Sequence, residues 1–565
     1  MSSDDTGTTP TQEEVAIPVM GSPSSSSYST GATEVIGPEI FVGIVTPIGV
    51  PGGTVADALK VVMERINYKV EVIHLARQLS RVVPVGPSGK GGFRGITKFK
   101  NERERYKSFI DAGDQFCKLL GGDALVALGI ERIREIRAEY FASSRREMRE
   151  GISPESEIIS RQLYYFRSLK RPAEIDRLRR IYGNSFFLIS AHASRDYRID
   201  RLSKKLASSE LKFDPDLARE PAEELLARDE SEGPKYGQNV RAAYPKADVF
   251  INVSGTRNSI VEELWRFVSI LFGAPFQTPL ADEQGMAMAY LASLRSAHPQ
   301  RQVGAAITTE DGSVVAIGCN EVPRAFGGLY WPNDPQDRRD FQLRDYASLS
   351  MRQEVLGDML KRLGDAGFLR PAIKRDFERD QEKFFEEMNS GKYRSLRDSR
   401  LMDALEYDRT VHAEMAAITD ASRRGVHLRD CTLFCTTLPC HNCARHIVAS
   451  GIRRVVYIQP FAKSLAKRLH GDAICIDASP GADLDRVRFD PFIGVSPNLY
   501  ATFFTFRKRM GEGDRWKRFA KWSQRDSMPI VLGNPKFYIA DEISASRWLS
   551  RELYKHNLSY VKESA

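Results

Sequence analysis

The stretch Thr410–Gly451 reads TVHAEMAAITDASRRGVHLRDCTLFCTTLPCHNCARHIVASG, and it decides the fold of the second half of the chain. His412 lies two residues before Glu414, and Cys440 and Cys443 are three residues apart after a proline. Two cysteines at that spacing lie one helical turn apart, so both can bind one ion together with a histidine from another element. A catalytic zinc takes three protein ligands and leaves a fourth position open for water. The pattern therefore predicts a zinc site.

Glu414 gives this zinc site a chemical purpose. Zinc lowers the pKa of a bound water from 15.7 to about 7, which makes a nucleophile available at neutral pH. A carboxylate beside the metal that is not itself a ligand can then move protons from that water to the substrate. The combination H-x-E…P-C-x-x-C is the signature of zinc deaminases. A structural zinc or a pair of buried free cysteines is the alternative, but neither has a use for Glu414.

The residues around the motif predict the elements that carry it. Apolar residues at helical spacing predict a helix that opens near His412 and stops at Gly425. Cys431–Thr437 is rich in β-formers, and Cys440–Ser450 follows as a second helix. The Pro-Cys pair therefore lies where a strand turns into a helix, and a helix N-terminus favours the thiolate that metal binding needs.

Length and composition bound the wider interpretation. A chain of 565 residues exceeds the ~250–300 residues that one core supports, so two or three domains are expected. The net charge of +8 accommodates nucleotide phosphates or a polyanion without establishing either. Seven cysteines suit a reducing cytoplasm and a metal site better than a disulfide framework. No signal pattern or long apolar run is evident, so we expect a cytoplasmic protein with no membrane partner.

The first residues, 1–36, are rich in Ser, Thr and Gly and are expected to form a disordered tail. A buried strand at 39–45, a glycine-rich loop, a helix at 55–66 and a strand at 69–75 then resemble the opening of a mononucleotide-binding domain. Its candidate nucleotide-binding residues are Gly43, Gly49, Gly52, Gly53 and Thr54. No lysine follows Gly49, so a nucleotide-sensing or purely structural unit is at least as compatible with the loop as a kinase.

This first domain is expected to span 37–275 and to be α/β. Residues 101–183 read as charged helices, and apolar runs at 186–191 and 247–252 read as further central strands. The paired basic residues along this domain favour solvated helix faces over a nucleic-acid surface.

The second domain is expected at 279–500. A helix at 281–298 precedes a hairpin whose second strand ends at Asn320, a residue placed either to bond a sugar hydroxyl or to form a turn. Residues 332–409 are charged and helix-prone, which indicates a helical insertion at the edge of the site.

Later residues add weaker candidates. Tyr457 lies in a strand and is equally suited to stacking on a base or filling the core, and Lys463 begins a phosphate-holding corner. Residues 501–565 form an aromatic-rich extension, which is expected to pack on the second domain.

The segments RQVGAAI, GCNEVP, VHAEMAAI and LPCHNCARHIVASGI resemble the cytidine/deoxycytidylate deaminase superfamily. The Asn-Glu-Val-Pro element at 320–323 is similar to the deoxycytidylate branch. With an α/β domain in front, the chain resembles the two-domain anti-phage deoxycytidylate deaminases, which join a P-loop kinase-like domain to a deaminase. The fold implied is a P-loop-like α/β domain followed by a three-layer α/β/α domain with a helical insertion.

The resemblance implies zinc-dependent deamination of dCMP and dCTP to dUMP and dUTP, which would deplete the dCTP available to a phage. His412, Cys440 and Cys443 would bind zinc, and Glu414 would carry protons. Ala413 would offer its carbonyl to the cytosine amino group, and Asn320, Tyr457 and Lys463 would contact the rest of the nucleotide. The family also implies a homo-oligomer, a small inhibitory RNA and a possible nucleotide on the first domain.

Two other functions fit parts of the sequence. A deaminase acting on a tRNA or single-stranded DNA base would use the same zinc site, with the 332–409 insertion guiding the strand. A non-enzymatic nucleotide- or RNA-binding regulator would keep only a vestigial zinc site.

Overall fold

The computed structural model describes residues 37–85, 93–143, 153–210, 213–231, 236–344, 346–404, 407–461, 464–478, 485–505, 528–530 and 533–562. The expected tail at 1–36 and the candidate Lys463 lie outside the described residues. Within the described ranges, none of the helices is both long and apolar enough to span a bilayer. All seven cysteines are free of disulfides.

The first domain alternates strands and helices. Its strands are β1 Ile40–Val45, β2 Lys69–His74, β3 Val82–Pro84, β4 Gln162–Leu169, β5 Phe186–His192 and β6 Val249–Asn252. Its helices are α1 Gly52–Glu64, α2 Leu75–Leu79, α3 Glu102–Leu120, α4 Ala124–Ser143, α5 Pro172–Tyr182, α6 Arg195–Ala207, α7 Arg219–Glu230, α8 Val240–Ala243 and α9 Arg257–Leu271.

The second domain and the C-terminal segment follow. The strands are β7 Gly304–Thr308, β8 Val314–Cys319, β9 Thr432–Thr437, β10 Arg454–Gln459, β11 Ile474–Ile476, β12 Val487–Pro491, β13 Gly494–Val495 and β14 Leu558–Tyr560. The helices are α10 Ala281–Ser293, α11 Asp340–Leu343, α12 Ala347–Asp365, α13 Pro371–Arg379, α14 Gln381–Ser390, α15 Arg394–Arg397, α16 Ala413–Arg423, α17 His441–Ala449, α18 Ala466–His470, α19 Pro497–Phe504 and α20 Pro535–Lys555.

A mostly parallel sheet organises the first domain in the order β13–β6–β5–β1–β4–β2, with only β13 antiparallel. Alternate residues of β1 face opposite apolar layers: Val42 packs with α1 and α9, and Phe41 packs with α4 and α5. The helix that follows β1 therefore lies on one face, and the helix that follows its neighbour β4 lies on the other. In open α/β sheets this arrangement leaves a ligand crevice at the carboxyl ends of the strands.

The prediction that residues 101–183 are helical is wrong for residues 162–169. Residues 162–169 form β4, which pairs in parallel with both β1 and the edge strand β2. Tyr164, Tyr165 and Phe166 are completely buried there. A short apolar run buried on both faces has no period-two signature, so its charged flanks favoured a helix in the sequence.

The second domain has three layers around a sheet in the order β11–β12–β10–β9–β7–β8. Strands β9, β10, β12 and β11 are parallel, and β7 and β8 form the expected antiparallel hairpin. Helix α10 covers one face, and α16 and α17 cover the other. This confirms two α/β domains with mixed, mostly parallel sheets, and the layer of α16 and α17 carries the zinc motif.

The two sheets share an apolar core. Met286 of α10 and Phe434 of β9 belong to the same buried cluster as Phe250 of β6. Phe492 joins them through an edge-on contact with Phe250, at a ring separation of 5.7 Å. Gly37–Ala565 consequently form one compact unit rather than two loosely tethered ones.

The expected insertion is helical, and it has a small apolar core of its own. Helices α12, α13 and α14 bury Leu356, Leu360, Phe377, Phe384 and Met388 against one another. This core lets the insertion keep a defined shape beside the sheet that carries the zinc motif.

The expectation that residues 501–565 pack on the second domain needs correction for the last helix, α20. Residues 501–504 end α19, which packs on α10 of the second domain as expected, whereas α20 packs on α4 and α5 of the first domain and β14 pairs with β3. Leu549 and Leu553 of α20 are buried with Phe116 of α3. The aromatic composition of the segment indicated burial correctly, but it carried no information about which surface provides it.

Candidate active site

The ends of two helices bring the zinc ligands together. His412 is the N-cap residue of α16, and Cys440 is the N-cap residue of α17, with Cys443 in the first turn of that helix. The Nδ1 atom of His412 lies 3.4 Å from the Sγ atoms of both cysteines. The three ligand atoms all lie within 4.8 Å of one another. Two thiols and one imidazole at this separation fit a zinc ion, with one coordination position left over.

The three ligand groups shift one another's pKa values. Hydrogen bonding from Cys443, then from His412, overcomes the effect of burial and lowers the pKa of the Cys440 thiol to about 4. The hydrogen bond to Cys440 raises the pKa of His412 to about 9. Cys440 is thus held as a thiolate beside a protonated His412, and a bound metal ion would take the place of that proton.

Glu414 lies in the first turn of α16, where only 4% of its surface is exposed. Burial raises the pKa of its carboxyl group above the usual range, and the His412 charge opposes that rise. A carboxyl group whose pKa lies closer to neutrality is suited to both taking and giving a proton.

Gly318 of β8 sets the distance between α16 and the sheet. A Cβ atom at this position would lie 2.4 Å from the Ala413 carbonyl oxygen and 2.5 Å from the Ala417 nitrogen. Glycine is therefore required for the helix that carries His412 to lie against the strand.

Gly318→Ala is expected to push α16 outward, lower the zinc affinity at least tenfold and cost about 1–3 kcal/mol of unfolding free energy. Zinc competition with a chromophoric chelator measures the affinity, and denaturant unfolding measures the stability. Gly53→Ala is the matched control, because the nearest atom to its added Cβ is 3.9 Å away. Equal zinc affinity in Gly318→Ala and the unmodified chain would contradict this role.

A cavity of about 370 Å³ opens beside the ligands, which is within the range of small-molecule sites. Besides His412, Glu414 and Cys440, its lining includes Arg241, His298, Gln300, Arg301, Val303, Asn320, Arg352, Asp408, Thr410, Ala413, Thr437, Leu438, Gln459, Pro460 and Phe461. Polar groups from both domains and from the insertion therefore meet at one pocket.

Asn320 and Ala413 both lie in the wall of this pocket. The Asn320 carboxamide accepts a hydrogen bond from the Val303 nitrogen at 2.7 Å and donates one to the Arg301 carbonyl at 2.8 Å. One N–H and one lone pair of that amide remain, so its predicted bond to a sugar stays a prediction. The Ala413 carbonyl oxygen lies toward Gly318, and its predicted contact with an amino group also stays a prediction.

Tyr457 lies outside the pocket beside the zinc ligands. It is 7% exposed, belongs to the core of the second domain and lines an adjoining cavity. Of the two roles that the sequence left open, its position favours core packing over stacking on a base held at the metal.

The glycine-rich loop is held by protein groups. Gly43 lies inside β1, where an added Cβ would be 2.6 Å from the Leu169 side chain, so packing in the sheet requires a glycine here and nucleotide binding by it stays a prediction. Asp229 is fully buried and accepts a hydrogen bond from the Ile48 nitrogen at 2.7 Å. Lys170 pairs with the same carboxylate at 2.8 Å. A buried carboxylate thus bonds one backbone donor of this loop and the lysine beside it.

The other four loop candidates surround that segment. The nitrogen of Gly52 donates to Val50, and that of Thr54 donates to Pro51. Gly49 has a φ angle of 91° and lies against Arg198. Gly53 begins α1 beside Gly52. The internal hydrogen bonds leave nucleotide binding by these residues a prediction.

Sequence reasoning missed the basic side of the pocket. Arg301 lies over the Phe461 ring at 5.3 Å. Arg352 reaches the pocket from α12, with its Nε atom donating to the Ser348 carbonyl at 2.9 Å. Arg241 comes from the first domain. Only Arg301, the first residue of the RQVGAAI segment, had a local signal, because the other two arginines depend on how distant elements pack.

A histidine–aspartate pair completes the rim of the pocket. His298 lies 3.2 Å from Asp408, which also accepts hydrogen bonds from the nitrogen and hydroxyl of Thr410. Burial acts against ionisation, but these bonds lower the pKa of Asp408 to about 2. The pair fixes the segment that leads into His412.

Comparison with known proteins agrees with this geometry. Residues 280–459 match the family described as the cytidine and deoxycytidylate deaminase zinc-binding region. The second domain is a deaminase-type zinc-binding domain. His412, Cys440 and Cys443 are its zinc site.

The relatives match short segments. The deoxycytidylate deaminase of Enterobacteria phage T2 is 39% identical over 54 residues, which are 10% of this chain and 29% of that protein. ComE operon protein 2 of Bacillus subtilis is 31% identical over 85 residues, which are 15% of this chain and 42% of that protein. The chain thus spans less than half the length of either relative. The dCMP deaminase of cyanophage S-TIM5 aligns over 38% of this chain and 100% of its own, at 16% identity and a TM-score of 0.20.

Cys440→Ser is expected to lower the zinc content of this deaminase-type domain from one ion per chain to near zero, because a hydroxyl does not replace a thiolate ligand. Elemental analysis of the dialysed protein measures this. Cys475→Ser is the control, since that buried thiol lies in the same domain outside the ligand cluster. Full zinc content in the Cys440 variant would contradict the ligand assignment.

Proposed function

We propose that the chain catalyses hydrolytic deamination of deoxycytidine nucleotides, converting dCMP or dCTP to dUMP or dUTP. The observation that carries the proposal is the buried Glu414 carboxyl group, which lines the same pocket as His412 and Cys440. The phage T2 relative, a deoxycytidylate deaminase, supports the substrate class.

The residues of the pocket divide the chemistry among them. A zinc ion held by the three ligands supplies a water acidic enough to act as a nucleophile near neutral pH. Glu414 takes a proton from the attacking water and delivers it to N3 of the cytosine ring. As the C4–N bond breaks, Glu414 transfers the second water proton to the departing amine, which leaves as ammonia and leaves a C4 carbonyl. Burial of Glu414 keeps bulk water from competing for these protons.

The charge of the pocket suits a nucleotide. Arg301 and Arg352 line the pocket that holds the zinc ligands, and guanidinium groups bind phosphate in a bidentate manner. Asn320 lines the same pocket as these arginines and the zinc ligands. In this proposal the base lies at the metal, the deoxyribose at Asn320 and the 5′ phosphate toward the arginines.

The test offers dCMP, dCTP, cytidine and a cytosine-containing single-stranded DNA separately to the zinc-loaded protein. Uracil product from dCMP or dCTP alone is the expected result. Product from the oligonucleotide alone would overturn the proposal and identify a polynucleotide base deaminase. Zinc-loaded protein that leaves all four compounds unchanged, with and without added nucleotides, would also overturn it and favour a regulator.

Defence against phage is the wider role that we propose for this activity. Deamination of dCTP would remove a DNA precursor that a replicating phage needs. The expected result is a fall in cellular dCTP and a rise in dUMP after infection of cells that carry the protein, compared with cells that carry Glu414→Ala. Unchanged pools would contradict this role. Homo-oligomer formation and a small inhibitory RNA stay predictions from the resemblance.

A further inference from the structure

A second cavity, of about 270 Å³, lies between the two domains. From the first domain it is lined by Pro47, which follows β1, and by His192 and Ala193 at the carboxyl end of β5. From the second domain it is lined by residues that include Tyr457 and Ile458 of β10. It therefore occupies the crevice in which open α/β sheets bind ligands, closed on its other side by the deaminase-type domain.

Three arginines of this cavity converge on one carboxylate. Glu230 lies 3.2 Å from Arg198, 3.4 Å from Arg195 and 3.7 Å from Arg241. Among the described residues that line the cavity, the one other carboxylate is Asp477, which is already paired with His192 at 2.8 Å. The guanidinium groups thus carry more positive charge than the carboxylate they share can balance.

The polar groups of this cavity are also incompletely bonded. Arg198 is 9% exposed, and its Nε and Nη1 atoms have no hydrogen-bond partner within the described ranges. The hydroxyl group of Tyr244, which lines the same cavity, also has none there. A buried guanidinium with unused donors costs about 1–3 kcal/mol or more unless a ligand satisfies them. Two independent side chains therefore indicate that an acceptor-rich, anionic group belongs in this cavity.

The cavity adjoins the pocket at the zinc ligands. The two share Arg241, Leu438, Pro460 and Phe461 in their linings. At about 270 Å³ the inter-domain cavity is slightly smaller than the ~300 Å³ that marks the lower end of sites for whole small molecules. A cavity of this size fits a chain of phosphate groups, whereas a complete nucleotide would extend beyond it.

We propose that the inter-domain cavity binds the phosphate groups of a nucleotide, with Arg198 as the principal ligand and Arg195 and Arg241 as its partners. Arginine forks match phosphate oxygens in geometry and charge, and the Tyr244 hydroxyl adds a neutral donor. In the glycine-rich loop the Ile48 nitrogen already donates to Asp229, so this backbone donor is not free for a phosphate. The phosphates are those of the substrate nucleotide, whose base lies at the zinc, or those of a second nucleotide; the first source rests on the deamination proposed above.

Inorganic tripolyphosphate is the direct probe of the site. Calorimetric titration of the zinc-loaded chain is expected to show binding that weakens at least tenfold in Arg198→Met, which removes the charge and keeps the aliphatic packing against Gly49. Arg201→Met is the matched control, since Arg201 is an exposed arginine of the same helix. Equal affinity in the unmodified chain and Arg198→Met, at equal melting temperature, would overturn the proposal. So would an absence of binding in the unmodified chain.

Kinetics identify the source of the phosphates. If they belong to the substrate, Arg198→Met lowers kcat/KM at least tenfold for dCTP and by a smaller factor for dCMP, which has two fewer phosphate groups. If they belong to a second nucleotide, an added non-cytosine nucleoside triphosphate alters dCMP turnover in the unmodified chain and not in Arg198→Met. The proposal would be overturned if Arg198→Met behaved as the unmodified chain in both assays. Failure of the unmodified chain to deaminate either nucleotide would count against the proposed function alone, because tripolyphosphate binding tests the cavity without turnover.

Discussion

Glu414→Gln is expected to lower kcat for deoxycytidine nucleotides by about 10²–10⁴, the range that general acid–base catalysis contributes. Glutamine keeps the size of the side chain and its place in the first turn of α16, but it cannot accept a proton from water or pass one to N3. Because Glu414 is not among the three ligand groups, zinc content is expected to stay at one ion per chain. Steady-state ammonia release and elemental analysis of one preparation measure both quantities.

Comparing the change in kcat with the change in zinc content decides the role of Glu414. A fall in kcat with KM and zinc content unchanged is the signature of a group that acts on protons. Zinc loss together with activity would contradict that role and make Glu414 a support of the metal site. Glu310→Gln, at an exposed position of the same domain, is the control and is expected to behave as the unmodified chain.

The zinc site could be predicted from sequence because its determinants are local. His412 and Cys440 are N-cap residues of consecutive helices of the domain, and the strand β9 between them aligns the two helix starts. The H-x-E and C-x-x-C spacings in the sequence are a direct consequence of this arrangement. Gly318 belongs to the same geometry, but its need to be glycine follows from a helix about 100 residues away, which the GCNEVP segment does not reveal.

The basic groups show the limit of such reasoning. Arg241 lines both the pocket of the zinc ligands and the inter-domain cavity, although it lies in a short helix of the first domain. Nothing adjacent in the sequence distinguishes it from the paired arginines that form solvated helix faces. Its role follows from the packing of Tyr244 and Phe492 in the apolar core that joins the domains. Long-range packing of that kind has no periodic signal, so only the structure assigns this residue.

The C-terminal helix depends on a buried ionic cluster that the sequence also did not reveal. Arg137 of α4 is fully buried and lies 2.7 Å from Glu39 and 2.5 Å from Glu542 of α20. Glu39 also accepts a hydrogen bond from Tyr164, and Glu542 accepts one from Tyr182. One guanidinium thus balances two carboxylates from residues about 500 positions apart, and burial raises the pKa of Glu542.

Arg137→Met is expected to lower the free energy of unfolding by about 3–5 kcal/mol, because it leaves two buried carboxylates without a cation. Denaturant unfolding measures this loss. Lys204→Met removes an exposed ion pair with Asp200, and as the control it is expected to cost no more than about 0.5 kcal/mol. Adding Glu542→Leu to Arg137→Met is expected to recover part of the loss, since one stranded charge is then removed. Equal stability of Arg137→Met and Lys204→Met would show that the cluster does not hold α20 on the first domain.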